Sequence, residues 1–197
     1  MAARRSALAL LATLAIAGPT DARPPVEREI AAPVSIIDSQ VIGEINFART
    51  RPGDYAELLR KLPGTAATRD AIGVLDQRMP APPLTMSPGL TAAALRHASD
   101  LGPTGGLGHI GSDGSNPGDR MRHERVFSSI TAEELSLGQG SARDVVRQLI
   151  IDEGVPMRGH RMDLLDPMLR LAGVGCAPHR LHHIICVIDL ASPPPPP

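Results

Sequence analysis

The sequence is poor in aromatic residues and has almost no net charge. Aromatic side chains make up 2% of the 197 residues, there is no tryptophan, and 20 basic residues balance 21 acidic ones to a net charge of −1. Proteins that bind nucleic acids normally carry a basic surface, and single strands stack on aromatic rings. The composition therefore excludes a nucleic-acid-binding function.

Several local signatures of enzymes and metal proteins are also missing. The sequence contains no GxSxG, HExxH or P-loop motif and no CxxC pair, so the local signs of a serine hydrolase, a zincin, a nucleoside triphosphatase and a zinc knuckle are absent. Residues 106–111 (GLGHIG) match GxGxxG. A dinucleotide site needs a strand before this motif and a helix after it. Here a predicted helix precedes the motif and an Asp-Gly turn follows, so no nucleotide site is expected.

No apolar run reaches the length of a membrane span, which is about 20 residues. Residues 7–17 form a shorter apolar stretch that follows Arg4 and Arg5 and ends in Ala-Ile-Ala, which is typical of a signal peptide. We predict a signal peptide over residues 1–17, with a second candidate cleavage site at residue 22. The alternative is an uncleaved anchor or a buried helix. The prediction implies a secreted or periplasmic protein that is not an integral membrane protein.

The rest of the chain is predicted to form one domain with two flanking segments. Residues 18–34 are rich in proline and alanine and predict a linker. Residues 192–197 are almost entirely proline and predict a polyproline tail. The folded domain then covers residues 35–191. Hydrophobic residues make up 42% of the sequence, which is enough to form a core.

There are only two cysteines, Cys176 and Cys186. Export would place them in an oxidising compartment, where a disulfide between them is stable. The alternative is a pair of free thiols in neighbouring strands.

The apolar spacing and the capping residues predict helices in most of the domain and a β-hairpin at its end. Helices are predicted over residues 36–49, 66–78 and 119–127. Three more are predicted to begin at the capping residues Asp54, Ser87 and Ser141. Residues 102–118 predict a long irregular loop. Strands are predicted over 169–176 and 182–190, with a turn at 178–179. Residues 184–188 are apolar on both faces and predict a central strand. This order indicates an α+β layered domain.

Histidines and acidic residues in the second half of the chain are the remaining candidates for chemistry. They are His109 in the glycine-rich loop, Glu133 and Glu134 in a short segment before a turn, Asp152 and Glu153 at the end of a helix, and His160 after a Gly-Val-Pro loop. Imidazole and carboxylate groups satisfy one another and together hold divalent cations. From their spacing alone, a solvated surface with a few acids at helix ends is equally supported.

Other histidines and arginines have predicted structural roles. His97 lies on an apolar helix face and is expected in the core with one nitrogen satisfied. The histidines at positions 123, 179, 182 and 183 are expected to be solvated. Arg120 and Arg161 are expected to brace loops by donating to carbonyl groups or to Asp113 and Asp163.

A series of short motifs runs through residues 36–191. In chain order they are residues 44–49 (EINFAR), 94–98 (ALRHA), 109–120 (HIGSDGSNPGDR), 133–138 (EELSLG), 159–161 (GHR), 173–175 (GVG) and 186–191 (CVIDLA). This ordered series resembles the bacterial form of the CAP superfamily, the cysteine-rich secretory protein, antigen 5 and pathogenesis-related 1 group. The resemblance implies a three-layer α-β-α sandwich.

The resemblance also implies a central cleft with two histidines and two acidic residues. Carried over by position, these are His109, Glu133, Asp152 and His160. The sequence departs from the family pattern at Glu134 and Asp163, which stand where asparagine is common, and at Asp152, where many members have glutamate. Glu134 is therefore an alternative to Glu133, and Glu153 is an alternative to Asp152.

The resemblance implies a binding function for this cleft. The expected ligands are a divalent metal (zinc or magnesium), a small apolar ligand such as a lipid or sterol, or a component of the cell envelope. One alternative is a metal-dependent, peptidase-like hydrolase with His160, Asp152 and Glu133 as candidate catalytic residues. Another is a non-catalytic structural protein of the envelope. Binding is preferred over catalysis because no serine or cysteine nucleophile lies in a recognisable motif.

Overall fold

The computed structural model describes residues 26–194, with side chains from residue 37 onward. Helices cover Val26–Thr50 (α1), Pro52–Leu59 (α2), Ala66–Gln77 (α3), Pro88–Thr104 (α4), Pro117–His123 (α5), Ala142–Ile151 (α6) and Gly159–Leu165 (α7), with a 3-10 turn at Pro156–Arg158. Strands cover Thr85–Met86 (β1), Thr131–Leu137 (β2), Leu171–His179 (β3) and His183–Ala191 (β4). The predicted signal peptide (1–17) and the end of the polyproline tail (195–197) lie outside the described residues.

The strands form one sheet in the order β1-β3-β4-β2. β1 is parallel to β3, and the other pairs are antiparallel. β4 has a neighbour on each side, which confirms the central strand predicted from residues 184–188. The turn predicted at 178–179 is wrong, because Pro178 and His179 still pair with Ile184 and His183. β1 pairs only with the start of β3, so Pro178 lies where β3 has a single neighbour and its missing N–H is tolerated.

Helices cover both faces of the sheet. The larger core lies under α1, α2, α3, α6 and α7 and includes Val174 and Ile188 from the sheet. A smaller core lies under α4 and includes Ile185 and Val187. Side chains alternate between the faces of a strand, so odd-numbered positions of β4 point toward α4 and even-numbered positions point toward α1 and α6. The arrangement confirms the three-layer α-β-α sandwich.

Two glycines allow α4 to lie directly on β3. A Cβ atom on Gly173 would lie 2.0 Å from the backbone nitrogen of Thr91, and one on Gly175 would lie 2.2 Å from that of Leu95. Both contacts are with helix backbone, which cannot move aside without shifting the whole helix. The GVG motif therefore sets the distance between these two layers.

The helix starts follow the local signals in most places. The Ser87 hydroxyl accepts from the Leu90 N–H, and the Ser141 hydroxyl accepts from the Asp144 N–H, which confirms both predicted caps. Asp54 is not a cap, because α2 already begins at Pro52. The fixed φ of proline suits the first helical position.

Two segments differ from expectation. Residues 131–137 form strand β2, whereas only a short segment before a turn was predicted there. Glutamate is disfavoured in strands, and here antiparallel pairing along the whole of β2 with β4 outweighs that preference. In addition, α1 begins at Val26, so its first turns lie in the segment predicted as a linker (18–34).

A disulfide joins Cys176 and Cys186. The two residues are register partners on β3 and β4, so the bond joins the two central strands at directly opposite positions. The predicted disulfide is confirmed, and the alternative of free thiols is wrong.

Candidate functional site

Two consecutive acids on the edge strand β2 organise the candidate site. Glu133 pairs with Asp189 of β4, and Glu134 pairs with Ile188. Since neighbouring side chains of a strand point in opposite directions, Glu133 lies on the α4 face and Glu134 lies on the α6 face. The predicted site residues fall on these two faces as two histidine–carboxylate pairs.

The first pair is His109 with Glu133. His109 Nδ1 lies 2.9 Å from Glu133 Oε1, and Arg120 donates to Glu133 Oε2 at 2.5 Å. Burial alone would raise the pKa of Glu133, but the hydrogen bonds from His109 and Arg120 outweigh burial and hold the pKa below its ordinary value. Glu133 is therefore a buried carboxylate, while the His109 side chain is 50% exposed and accessible to a ligand.

Arg120 fixes this half of the site through the backbone as well. It donates to the carbonyl oxygens of Ser115 and His109, which confirms its predicted role in bracing the glycine-rich loop. The predicted partner Asp113 is wrong, because the carboxylate bound to Arg120 is Glu133. The pairing of β2 with β4 places Glu133 beside Arg120 of α5. No local motif in the sequence indicates this contact.

Two further buried groups lie behind this pair. His97 is fully buried, and its Nε2 donates to the Gly108 carbonyl at 2.9 Å. Its Nδ1 has no hydrogen-bond partner among the described residues, which confirms a core histidine with one nitrogen satisfied. Burial lowers the pKa of His97. The acid Asp189 faces Glu133 across the strands, and burial and the charge of Glu133 raise the pKa of Asp189 to about 9.

Sequence reasoning did not select Asp189. The available signal was its position in an otherwise apolar strand, between Ile188 and Leu190. A buried acid in such a run needs either a partner or a proton.

The second pair is His160 with Asp152. His160 Nδ1 lies 2.6 Å from Asp152 Oδ1, and His160 Nε2 lies 3.6 Å from Glu134 Oε2. Asp152 ends α6 in the left-handed region (φ 57°), which turns its buried carboxylate toward α7. Glu153 is exposed. Of the two candidate acids at this position, Asp152 is the one that pairs with the histidine.

Glu134 is a buried acid on the same side. It is 2% exposed. Burial, a hydrogen bond with Asp163 and the charges of Asp163 and Asp152 raise the pKa of Glu134 to about 9, so it carries a proton at neutral pH. Glu133 and Glu134 thus both belong to the site, each with its own histidine, and they differ in ionisation.

Arg161 braces the α6–α7 connection. It donates to the carbonyl oxygens of Ile150 and Ile151, as predicted for this residue. Its carboxylate partner is Asp70 at 3.0 Å, so the predicted partner Asp163 is wrong. Asp163 hydrogen-bonds Glu134 instead.

His179 is buried, so its predicted solvation is wrong. Its Nδ1 accepts from the N–H groups of Leu181 and His182, and its Nε2 donates to the Gly106 carbonyl at 3.0 Å. The ring thereby ties the β3–β4 turn to the glycine-rich loop that carries His109. Only the fold brings these two loops together, so no local motif indicates this contact.

A cavity of about 410 Å³ lies beside the second pair. His160 and Asp152 line it, Leu149, Ile151 and Val155 provide an aliphatic wall, and Leu135 of β2 also borders it. Polar groups of Gln139, Asp144, Arg147, Gln148 and Glu153 complete the lining. The cavity can hold a small molecule that has both an apolar body and a polar end.

A divalent metal ion in a protein needs several donor side chains at one point. Each histidine uses Nδ1 to bind a carboxylate, an arrangement that also orients metal-ligating histidines. However, within residues 37–194 no three His, Cys, Asp or Glu side chains are placed so that they could hold one metal ion. The present arrangement does not fit a metal, and metal binding stays a prediction.

The fold that carries these two pairs is matched by one protein family. A family model described as "Cysteine-rich secretory protein family" (CAP) matches residues 43–188. The chain therefore belongs to the CAP family, and the match lies within the predicted domain (35–191). Comparison with curated protein sequences gave no match.

Two of the similar solved structures are bacterial proteins. An extracellular protein of Bacillus anthracis that contains an SCP domain superposes with a TM-score of 0.53 at 15% identity, covering 90% of this chain and 45% of its own. The chain thus spans less than half of that protein. An outer surface protein of Borrelia burgdorferi gives a TM-score of 0.47 at 20% identity, covering 55% of this chain and 77% of its own. Within the described part of the chain, no helix is long and apolar enough to cross a membrane.

Proposed function

We propose that the chain is an exported binding domain whose ligand enters the cavity beside His160 and Asp152. The observation that carries the proposal is the combination of an aliphatic wall with a partly exposed imidazole that a buried carboxylate holds in place. An apolar wall supplies affinity through burial, and a few fixed polar groups orient the ligand. The ligand is a small molecule with an apolar part and a polar group.

Export is supported by several features together. The predicted signal peptide, the disulfide between Cys176 and Cys186 and membership of a secretory family all agree with an oxidising, extracytoplasmic location. The proposal covers both a periplasmic and a secreted protein. Fractionation of cells that express the full chain distinguishes these two locations. Recovery of the intact, unprocessed chain in the cytoplasm would contradict export.

The binding proposal is tested by filling the cavity. We expect Val155→Trp to block binding of 1-hexanol, because Val155 is partly exposed and lines the cavity. The matched control is Val74→Trp on α3, which places the same side chain outside the cavity. Ligand-induced shifts of the Ile151 methyl groups in NMR spectra measure binding. Equal binding by both variants would contradict the proposal.

Zinc or magnesium binding is a separate proposal, which derives from the family and not from the present donor arrangement. Calorimetric titration with each metal tests it, with His109→Ala as the comparison. Heat in the unmodified chain that the variant loses would support metal binding. Absence of heat in both proteins would contradict metal binding.

A hydrolase is the second candidate function, and the His160–Asp152 pair is the observation that favours it. Asp152 holds Nδ1 at 2.6 Å, which leaves Nε2 as the nitrogen that can accept a proton from an attacking group. The test is digestion of peptide and peptidoglycan substrates by the unmodified chain and by His160→Ala. Cleavage that the variant does not reduce would eliminate this function.

A further inference from the structure

The charges that line the cavity do not cancel. Arg147 pairs with Asp144 at 2.7 Å, and His160 pairs with Asp152. Glu153 also lines the cavity but has no ion-pair partner among the residues that the structure describes. The lining is therefore left with an acidic group that no cation neutralises.

The nearest arginines in the sequence do not compensate for this charge. Arg158 and Arg161 flank His160 in the sequence, but both guanidinium groups contact Asp70 on α3, at 3.3 Å and 3.0 Å. Arg158 also donates to the Asp152 backbone carbonyl. Neither arginine lines the cavity, so their charges are directed to the α3 side of the loop.

More acidic groups lie behind His160. Glu134 and Asp163 form a hydrogen-bonded pair there, and Glu134 approaches His160 Nε2 at 3.6 Å. Burial is the largest cause of the raised pKa of Glu134, about 9, and the charges of Asp163 and Asp152 add to it. The negative charge near His160 therefore comes from these aspartates and not from the protonated Glu134.

We infer that the cavity selects a small aliphatic amine, with the alkyl chain against the aliphatic wall and the protonated nitrogen near Glu153. A cation gains from the unneutralised carboxylate, whereas an anion of the same length is repelled. The alkyl part contacts Ile151 and Val155, which are partly exposed. This inference rests on the proposed function, since it assigns the charge of the ligand that enters the same cavity.

The test compares three ligands of equal chain length: hexylamine, 1-hexanol and hexanoate. NMR titrations at pH 7 in low salt should give the tightest binding for hexylamine and the weakest for hexanoate. Glu153→Gln should weaken hexylamine binding about two- to fivefold, the range expected for a solvent-exposed ion pair, and should leave 1-hexanol unchanged. Glu57→Gln on α2, whose side chain is 69% exposed, is the matched control and should change neither affinity.

Failure of this inference is distinguishable from failure of the proposed function. If hexylamine and 1-hexanol bind equally, or if Glu153→Gln changes neither, selectivity for amines is refuted while cavity binding stands. Tighter binding of hexanoate would also refute it. If Val155→Trp does not affect any of the three ligands, the cavity is not the binding site and the proposed function fails as well. Loss of hexylamine affinity with added salt would agree with the inference.

Discussion

Glu134 makes the stability of the domain depend on pH in a way that one substitution can isolate. Its side chain is buried on the α6 face of β2, where its pKa is about 9, against 4.5 in an unfolded chain. Between these values the native state holds a proton that the unfolded state has released. This stabilising contribution is complete below pH 4.5 and is lost as the pH rises toward 9.

The magnitude follows from the proton count. One proton that is bound in the native state and released in the unfolded state changes the free energy of unfolding by about 1.4 kcal/mol per pH unit. Glutamine has nearly the same shape and cannot ionise. We therefore expect the stability of Glu134→Gln relative to the unmodified chain to rise by about 2–3 kcal/mol between pH 6 and pH 8. Asp189 is present in both proteins, so to first order its own titration cancels in the difference.

Urea unfolding at pH 6, 7 and 8 measures this effect. Leu135→Ala on the same strand is the control, because it removes packing without removing a titratable group, and its stability difference should be the same at each pH. If the difference for Glu134→Gln were also independent of pH, Glu134 would not carry a proton in the native state. The assignment of one neutral and one ionised glutamate on β2 would then be refuted.

Three further predictions concern groups that hold the site in place. Glu133→Gln leaves the buried Arg120 guanidinium without its carboxylate, and urea unfolding should show a loss of about 3 kcal/mol; a loss below about 1 kcal/mol would contradict the buried ion pair. Reduction of the Cys176–Cys186 disulfide should lower stability by about 2–3 kcal/mol in the chain-entropy model, and an unchanged midpoint with dithiothreitol would refute this. Arg49 donates to four backbone carbonyls, so Arg49→Lys should cost about 3 kcal/mol or more in thermal unfolding, whereas a neutral effect would show that these bonds are replaceable.

The Glu133 prediction also bears on the alternative of a structural envelope protein. A large loss without any metal shows that this half of the site stabilises the fold. This loss would not distinguish a structural protein from a binding protein, because the proposed binding cavity lies beside His160, in the other half of the site. The ligand titrations are the experiment that separates the two roles.

The parts of the fold that follow from local signals were predictable. Ser87 and Ser141 mark helix starts because their hydroxyls satisfy free N–H groups close by in the sequence. The central strand was recognisable from its uninterrupted apolar run. β2 was not recognisable, since its two glutamates have low strand propensity and its identity depends on pairing with distant β4.

The site was predictable only in part for the same reason. Its four residues were named by resemblance to a family, because their spacing alone also fitted a solvated surface. The structure shows which carboxylate each histidine contacts, and it adds Asp189. It also places Glu134, named only as an alternative to Glu133, near the second histidine. Whether the two pairs act together in one cleft stays a prediction. The carboxylate partner predicted for Arg161 was wrong because its actual partner, Asp70, lies on another helix and is distant in the sequence.

The position of two acids side by side on β2 makes the domain sensitive to the alignment of that strand. A deletion of one residue in the chain leading into β2 would, if the strand slid to compensate, exchange the faces of Glu133 and Glu134. Glu134 would then take the place of Glu133 beside Arg120, Leu135 would take the place of Glu134 near Asp163, and Glu133 would move to the face away from His109. Shortening or lengthening this connection is therefore the change that the domain should tolerate least, even though no site residue would be altered.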